Sequence, residues 1–530
     1  MSQNPGPASQ ALPTGAPRQR PLFWPIVVCC IAAAGVVAGL LLPGGGPSST
    51  DGGTAAVEDT VPSVADSTAP SPETFTHAAD TERRLSGDDQ RIVREFPLSA
   101  ADLRDTQEAP ALAIDRQGHV HFAWASKTRD ASRTLFFTTA SNRQLDFDEP
   151  RAIATSGIFK SGGGTAAKGG GHERRMLPRL AVGADTLLLA WCDAPMDGSS
   201  IRMLLAESGD AGRTFGPPTP LHATDSARPT FTSLATNGAG QVAAAWLDCR
   251  QGPQQVYAAV REAGSPEFLP DSLVFAGQDD LGVCPCCPTE SRVLEDGTVL
   301  VAYRGQVDGF RDIWICRRSP GPQGRFSEPL PVVKPTWTFD GCPHDGPSLA
   351  VVGDWVHVAW MDARTGRQRV YYGRARLADM KFAVRELHAA GPGTQGNPKL
   401  IRDDLGRLHA VWEESLDTET FASVQPAAAS QPTSGKARAK AAHDPLADGA
   451  GRAVMYASSP EANGEFQPAR SVMVRPGRFQ IRPALACGAD GVLVAAWMEL
   501  DESGKRVVVT SWDEPVHRLP QTAQLSGGGP

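Results

Sequence analysis

Short apolar runs that end in an aromatic residue recur along the chain from about residue 109. Within each run the apolar positions alternate or are continuous, and a Gly or Asp turn divides the run, which is typical of a hairpin of two strands. The runs open at Pro110, Pro178, Pro229, Pro288, Pro347, Pro398 and Pro483, and they close at Trp124, Trp191, Trp246, Tyr303, Trp360, Trp412 and Trp497. The pattern therefore predicts seven hairpins.

A third apolar strand follows each hairpin, and in five copies a Phe with a Pro close behind it marks a fourth strand. Four antiparallel strands that repeat about every 50 to 60 residues are typical of the blades of a β-propeller. We therefore predict an all-β propeller with seven blades, with six blades as the alternative. The last copy lacks a fourth strand of its own, and we predict that the segment around Phe96 supplies it by pairing with the strand that ends near Trp512.

An apolar run at residues 22–42 is long enough to cross a membrane as a helix. Arg18 and Arg20 precede it and acidic residues follow it, which by the positive-inside rule places residues 1–21 in the cytoplasm. We predict a single-pass membrane anchor with the propeller on the extracytoplasmic side. A cleaved signal peptide is the alternative.

The segment 43–90 consists largely of Gly, Pro, Ser, Thr, Ala and acidic residues, so it cannot bury enough apolar surface to fold and is predicted to be a disordered linker. The propeller then spans residues 91–520. Two stretches of similar composition, at about 157–175 and 416–451, are predicted to be surface insertions.

The charge of the chain limits the classes of partner that it is expected to bind. The 51 basic and 59 acidic residues give a net charge of −8 and are spread along the chain without a basic stripe. Binding of nucleic acid normally needs such a stripe, so we expect none. The partners left open are a small molecule, a glycan or a protein, together with the membrane that holds the anchor.

Cysteines cluster in two loops that lead into neighbouring innermost strands. One loop contains Cys284, Cys286 and Cys287, and the next contains Cys342 and His344. Equivalent loops of adjacent blades meet near the central channel, and thiolate and imidazole ligands select copper or zinc, so these five residues are a candidate metal site. Disulfides are the alternative outside the cytoplasm, for example between Cys192 and Cys249, and a redox-active pair is a third.

Arginines follow the closing aromatic residue in three consecutive copies, at Arg250, Arg304 and Arg364, and acidic residues stand beside them at Asp248, Asp362 and Glu413. Guanidinium groups bind carboxylates in a bidentate manner, so this set is a candidate ligand-binding site. The alternative is a set of ion pairs that fix the ends of the blades.

One segment resembles the Asp box of sialidases and other proteins with bacterial neuraminidase repeats. It consists of Ser208, Asp210, Gly212, Thr214 and Phe215 within SGDAGRTF. The resemblance covers the repeat region and implies a sialidase-like propeller, in which the box is a structural turn. It also implies three arginines that hold a substrate carboxylate, a Tyr nucleophile paired with Glu, and an Asp acid.

The five tyrosines of this chain all fall within the repeated strands. We therefore expect a ligand-binding or metal-handling module rather than an active sialidase. An exo-alpha-sialidase type of glycoside hydrolase and a scaffold for protein partners are the alternatives, since function resides in a site rather than in a fold.

The anchor is testable. The uninterrupted apolar run and the charge asymmetry around it lead us to expect that the intact protein keeps residues 1–42 and sediments with membranes. Cell fractionation followed by N-terminal sequencing measures both properties. A mature N-terminus near Gly44 would favour the cleaved signal peptide instead.

Overall fold

The computed structural model describes residues 92–98, 109–127, 132–141, 144–157, 160–161, 172–173, 176–195, 200–277, 282–339, 341, 343–391, 393–415, 451–461, 463–473, 475, 478–501 and 503–513. The predicted anchor, the linker and most of the insertion at 416–451 lie outside these residues. Within them, no helix is long and apolar enough to cross a membrane.

Strands account for all the regular structure in the described residues. Those of the first half are β1 (Val93–Pro97), β2 (Ala111–Ile114), β3 (Val120–Lys127), β4 (Arg133–Ala140), β5 (Arg151–Ser156), β6 (Lys160–Ser161), β7 (His172–Glu173), β8 (Arg179–Val182), β9 (Leu187–Asp193), β10 (Arg202–Ser208), β11 (Thr219–Pro220), β12 (Pro229–Thr236), β13 (Val242–Asp248), β14 (Gln255–Arg261) and β15 (Ser272–Phe275). Those of the second half are β16 (Glu290–Val293), β17 (Val299–Arg304), β18 (Ile313–Arg318), β19 (Leu330–Pro331), β20 (Ser348–Val352), β21 (Trp355–Asp362), β22 (Arg369–Arg376), β23 (Ala383–Glu386), β24 (Gln395–Arg402), β25 (Leu408–Ser415), β26 (Arg452–Ser459), β27 (Arg470–Ser471), β28 (Phe479–Cys487), β29 (Val492–Asp501) and β30 (Gly504–Asp513).

The strands assemble into four-stranded antiparallel groups. Five sheets have the orders β2-β3-β4-β5, β11-β10-β9-β8, β12-β13-β14-β15, β16-β17-β18-β19 and β20-β21-β22-β23. A larger sheet contains two such groups, β24 to β27 and β28 to β30 with β1, which a single parallel pair between Arg452 and Phe479 joins. The prediction of an all-β chain built from four-stranded antiparallel sheets is confirmed.

The N-terminal segment completes the last group. Strand β1 pairs antiparallel with β30, with Phe96 opposite Val507. The Thr510 hydroxyl also donates a hydrogen bond of 2.9 Å to the carbonyl oxygen of Ile92. The pairing predicted around Phe96 from the missing fourth strand is therefore present.

The innermost strands follow one another in a circuit. Each of β2, β8, β12, β16, β20 and β24 contacts the innermost strand of the next group, and β28 contacts β2 again. The core clusters show the same arrangement, because each draws its side chains from two neighbouring groups. This is the arrangement of a β-propeller, in which a sheet buries its faces only against its neighbours.

The turn that resembles an Asp box lies between β10 and β11. Asp210 accepts hydrogen bonds from the backbone N–H and the hydroxyl of Thr214, at 2.8 and 2.6 Å. Phe215 packs edge-on against Phe137 of the preceding group, with 5.0 Å between ring centroids. Gly212 has a φ of +80°, and a Cβ there would lie 2.6 Å from the Phe137 ring, so only glycine fits. The segment stabilises the contact between two groups.

The junction between β1 and the first group gives a second prediction. The ring of Phe96 lies 4.8 Å from that of Trp124 and 5.5 Å from that of Phe147. Because Phe96→Ala removes this partly buried ring, we expect it to lower the free energy of unfolding by about 2–4 kcal/mol, measured by urea unfolding.

Leu405→Ala is the control, since Leu405 is 65% exposed and its truncation should leave the unfolding midpoint almost unchanged. Equal effects of the two changes would show that β1 adds little to closure.

Candidate metal centre and central cavity

Three cysteines lie side by side in the loop of residues 282–289 that precedes β16, which we call the cysteine loop. The sulfur of Cys284 is 3.7 Å from that of Cys286 and 3.6 Å from that of Cys287, and the last two sulfurs are 3.8 Å apart. All three side chains are buried. Among the described residues this is the group whose donor atoms converge as the ligands of an ion do.

The backbone around the cysteine loop explains why the sulfurs converge. The N–H of Val283 donates to the carbonyl oxygen of Gln254, at 2.7 Å, and the N–H of Cys284 donates to that of Arg304, at 3.1 Å. These bonds attach the loop to both neighbouring hairpins, and Pro285 and Pro288 restrict its backbone further. A loop held in this way turns successive side chains toward one point.

The spacing of the sulfurs matches ligation rather than a covalent bond. A tetrahedral ion that binds sulfur at about 2.3 Å separates its sulfur ligands by about 3.8 Å, whereas a disulfide needs about 2.05 Å. No disulfide joins any of the described cysteines. The expected alternative of a Cys192–Cys249 disulfide is therefore wrong in this structure, since the thiol of Cys192 donates instead to the carbonyl oxygen of Pro229, at 3.2 Å.

A buried guanidinium group gives the cluster its charge environment. Arg304 donates to three backbone carbonyl oxygens, those of Asp345, Arg311 and Met361, at 2.9, 2.6 and 2.8 Å. These bonds fix its position but leave its charge without a carboxylate partner in direct contact. Burial alone would lower the pKa of Arg304, yet Cys287 and Asp345 raise it, so it stays protonated.

The thiols of Cys284 and Cys287 differ in acidity. Burial alone would raise the pKa of Cys287, but hydrogen bonds from Cys284 and Cys286, the charge of Arg304 and the backbone N–H of Asp345 together lower it well below its usual value. The pKa of Cys284 is raised, because its hydrogen bond to Cys287, burial and the negative charge of Cys287 outweigh a bond with Cys286. Between Cys284 and Cys287, the negative charge is therefore favoured on Cys287.

The cluster borders a cavity at the centre of the circuit of innermost strands. Cys286 lines this cavity together with His344, Arg179, Lys399 and Arg482, and its volume is about 40 Å³. This volume corresponds to about three water molecules. The sequence predicts that the cysteine loop lies at the central channel, and the structure places Cys286 there.

The next loop, residues 343–347, packs directly against the cysteine loop. A side chain at Gly346 would place its Cβ 2.2 Å from the carbonyl oxygen of Pro288, so the two loops touch through backbone. His344 has a φ of +54°, a region that non-glycine residues seldom adopt, and its carbonyl oxygen accepts a 2.7 Å hydrogen bond from Arg482. Cys342 lies outside the described residues, so its role as a ligand stays a prediction.

Two of the three predicted ligand-binding arginines are held by carboxylates of their own group. Arg250 bonds Asp248 at 3.0 Å and Asp271 at 2.6 Å, and its guanidinium group lies 4.0 Å from the ring centroid of Tyr257. Arg364 bonds Asp362 at 2.9 Å. Each of these contacts ties a guanidinium group to the end of its own hairpin. A ligand that bound the three arginines together would compete with these contacts.

The acidic residues of the same set bind tryptophan or a neighbouring strand. The indole N–H of Trp246 donates to Asp248 at 3.1 Å, and that of Trp360 donates to Asp362 at 2.9 Å. Glu413 accepts from the Arg452 side chain at 3.0 Å and from the backbone N–H of Arg482 at 3.1 Å. Ligand binding by this set stays a prediction.

The tyrosines lack the environment of a nucleophile. Burial raises the pKa of Tyr303, Tyr257, Tyr371 and Tyr372, which favours the neutral phenol. The hydroxyl of Tyr456 is 2.9 Å from Nδ1 of His409 in the core. None of the four tyrosines with a raised pKa has the lowered pKa that nucleophilic attack requires.

Sequence reasoning missed Lys399 and Arg482 as residues of the cavity. A signal for Arg482 was present in the repeat, because the residue before its opening proline lines the cavity in five copies: Ala109, Leu177, Gly346, Asn397 and Arg482. The proline marks where each innermost strand passes the axis, and the residue before it is restricted in conformation.

Comparisons with known proteins place the chain only broadly. No protein-family model and no curated protein matches it. Similar solved structures include a NanB sialidase variant of Streptococcus pneumoniae (TM-score 0.41, 9% identity, 75% of this chain and 83% of the other) and the intramolecular trans-sialidase of Ruminococcus gnavus (0.40, 10%, 62% and 94%). Another is an alpha-L-arabinanase of Penicillium chrysogenum (0.39, 12%, 80% and 97%). These similarities assign no residue and no activity to this chain.

The thiolate on Cys287 gives a third prediction. In metal-free, reduced protein, the ultraviolet absorbance of thiolate should persist as the pH falls below the ordinary thiol pKa, because the charged form of Cys287 is stabilised. Cys287→Ser should remove that component. The pH titration of Cys316→Ser should resemble that of the native chain, since burial raises the pKa of Cys316 to about 12. A native titration without any ionised thiol below pH 8 would contradict the assignment.

Proposed function

We propose that this chain binds a thiophilic metal ion at Cys284, Cys286 and Cys287 and presents it to the central cavity. The observation that carries the proposal is the triangle of buried sulfurs, whose edges of 3.6 to 3.8 Å match three corners of a tetrahedron around such an ion. Thiols without a ligand to bind have no reason to bring their sulfur atoms together at one point in a protein core.

Charge balance favours Zn²⁺ over Cu⁺ as that ion. Three thiolates around Zn²⁺ carry a net charge of about −1, which the buried guanidinium group of Arg304 offsets. The same ligands around Cu⁺ leave an uncompensated negative charge in the core, which is costly. Copper is the second choice, since thiolates also select it.

The fourth coordination position supports a binding or handling role. Cys286 and His344 line the same cavity, so the remaining ligand is His344, a water molecule from the cavity, or Cys342 as the sequence predicts. Structural zinc sites are closed by four protein ligands, whereas sites that act on a ligand keep one position open. A cavity beside the cluster fits an open position.

The proposal also covers the number of blades and the cellular location of the metal site. We propose that the four-stranded groups form seven blades and that residues 22–42 hold the propeller at the extracytoplasmic face of a membrane. Membrane fractionation tests the anchor, and an experimental structure tests the number of blades. The metal site would then be open to solutes outside the cytoplasm.

The fourth prediction concerns metal content. The full chain, purified with reductant and incubated with Zn²⁺ or Cu⁺, should contain about one ion per chain by elemental mass spectrometry. Cys284→Ala, Cys286→Ala and Cys287→Ala should each lose the ion, because two sulfurs cannot hold it tightly. The circular dichroism of the strands should stay unchanged, since the three cysteines form a small cluster apart from the cores that neighbouring groups share.

Cys316→Ala is the matched control, because Cys316 is equally buried in β18 but lies outside the cluster. It should keep the ion. A native chain that takes up neither metal under reducing conditions would refute the proposal, and Cys342→Ala measured in parallel decides whether Cys342 is a ligand.

A further inference from the structure

The central cavity has a cationic lining. Arg179, Lys399 and Arg482 come from three different groups of strands and all reach it, and no Asp or Glu of the described residues lines it. Arg179 donates to the carbonyl oxygen of Pro178 at 2.9 Å, and Arg482 donates to that of His344 at 2.7 Å. Arg482 also donates to the side-chain oxygen of Asn397, so these bonds orient both guanidinium groups at the cavity.

Lys399 is the distinctive member of this lining. It follows the bulge in β24 between Gly396 and Lys399, where the left-handed Asn397 redirects the chain. Its ammonium group forms no hydrogen bond and no ion pair with any residue that the structure describes, although the side chain is partly buried. An enclosed ammonium group without partners is costly, so natural proteins normally provide it with an anion.

The charges further out do not neutralise the site. Burial lowers the pKa of Lys399, and the charges of Arg179 and Arg292 lower it further, whereas the charges of Glu290 and Asp345 act in the opposite direction without restoring it. Glu290 is already paired with Arg292, at 2.5 Å. Two guanidinium groups and two carboxyl groups thus act on Lys399, so these neighbours supply no net negative charge to its ammonium group.

We propose that the central cavity binds one small oxyanion through the ammonium group of Lys399, with Arg179 and Arg482 as flanking charges. The volume of about 40 Å³ suits a small ion such as phosphate, sulfate or acetate. The positive charges of Arg179, Lys399 and Arg482 disfavour a cation in the same place.

This site is distinct from the proposed metal site and does not rest on it. The two share the wall formed by Cys286, so an oxyanion in the cavity is placed to approach an ion held by the three sulfurs. The anion site, however, is built from groups that are present without any metal.

Isothermal titration of the chelator-treated full chain tests the proposal, with inorganic phosphate and acetate as separate probes at constant ionic strength. We expect one equivalent of at least one probe to bind. Binding of phosphate points to an inorganic oxyanion as the ligand, and binding of acetate alone points to a small carboxylate. Lys399→Gln should weaken the affinity for the bound probe at least about tenfold, which corresponds to the loss of about 1.4 kcal/mol.

Lys381→Gln is the matched control, since Lys381 is exposed in the turn between β22 and β23 and should leave the affinity unchanged. A native chain that binds neither probe, or a folded Lys399→Gln chain that binds as the native one does, would overturn the proposal.

Two further measurements keep the test decisive. Crystals of the native chain grown with selenate should show the ion within hydrogen-bond distance of the Lys399 ammonium group, whether or not the variant folds. Selenate found only elsewhere would count against the site. Repeating the titration with Cys286→Ala separates the two proposals, because loss of the metal site should leave anion binding intact.

Discussion

Closure of the ring of sheets is the constraint on which the rest of this structure depends. A four-stranded group cannot bury both faces alone, so each group needs a neighbour on either side. The first and last groups meet through a shared core in which Phe122 and Trp124 of β3 pack near Val494 and Val507. Strand β1 seals this junction by pairing with β30 while its Phe96 packs on the first group.

The closed ring also creates the chemistry at its centre. Innermost strands that converge on an axis must pass close together, and the left-handed residues Leu177, Phe231, His344, Asn397 and Arg482 all lie where these strands border the cavity. Such conformations cost free energy and persist only where the surrounding structure imposes them. Rigid loops on this frame hold the three sulfurs and Lys399 in fixed positions, which preorganises both proposed sites.

Much of the fold could be predicted from the sequence, because the periodic pattern of apolar residues follows from the local geometry of strands. The repeated aromatic residue of each hairpin is buried, as at Trp246 and Trp360, and the missing fourth strand led directly to Phe96. Only some residues of the two proposed sites could be predicted from the sequence. The spacing of Cys284, Cys286 and Cys287 is local, and the repeat marks Arg482 as the residue before an opening proline. Lys399, however, reaches the cavity beside a bulge whose position no single-sequence pattern states. The pairing of Arg250 and Arg364 with nearby carboxylates is likewise a matter of side-chain geometry.

The pairing of β1 with β30 has a consequence for how the molecule is made. Ile92 and Thr510, which are hydrogen-bonded across this pair, are 418 positions apart in the sequence. At a synthesis rate of about 5 to 20 residues per second, the ribosome reaches Thr510 roughly 20 to 80 seconds after Ile92. The strand that is made first is therefore the last to find its partner, and until then the growing chain exposes an unpaired sheet edge, the state in which nascent β proteins depend on chaperones.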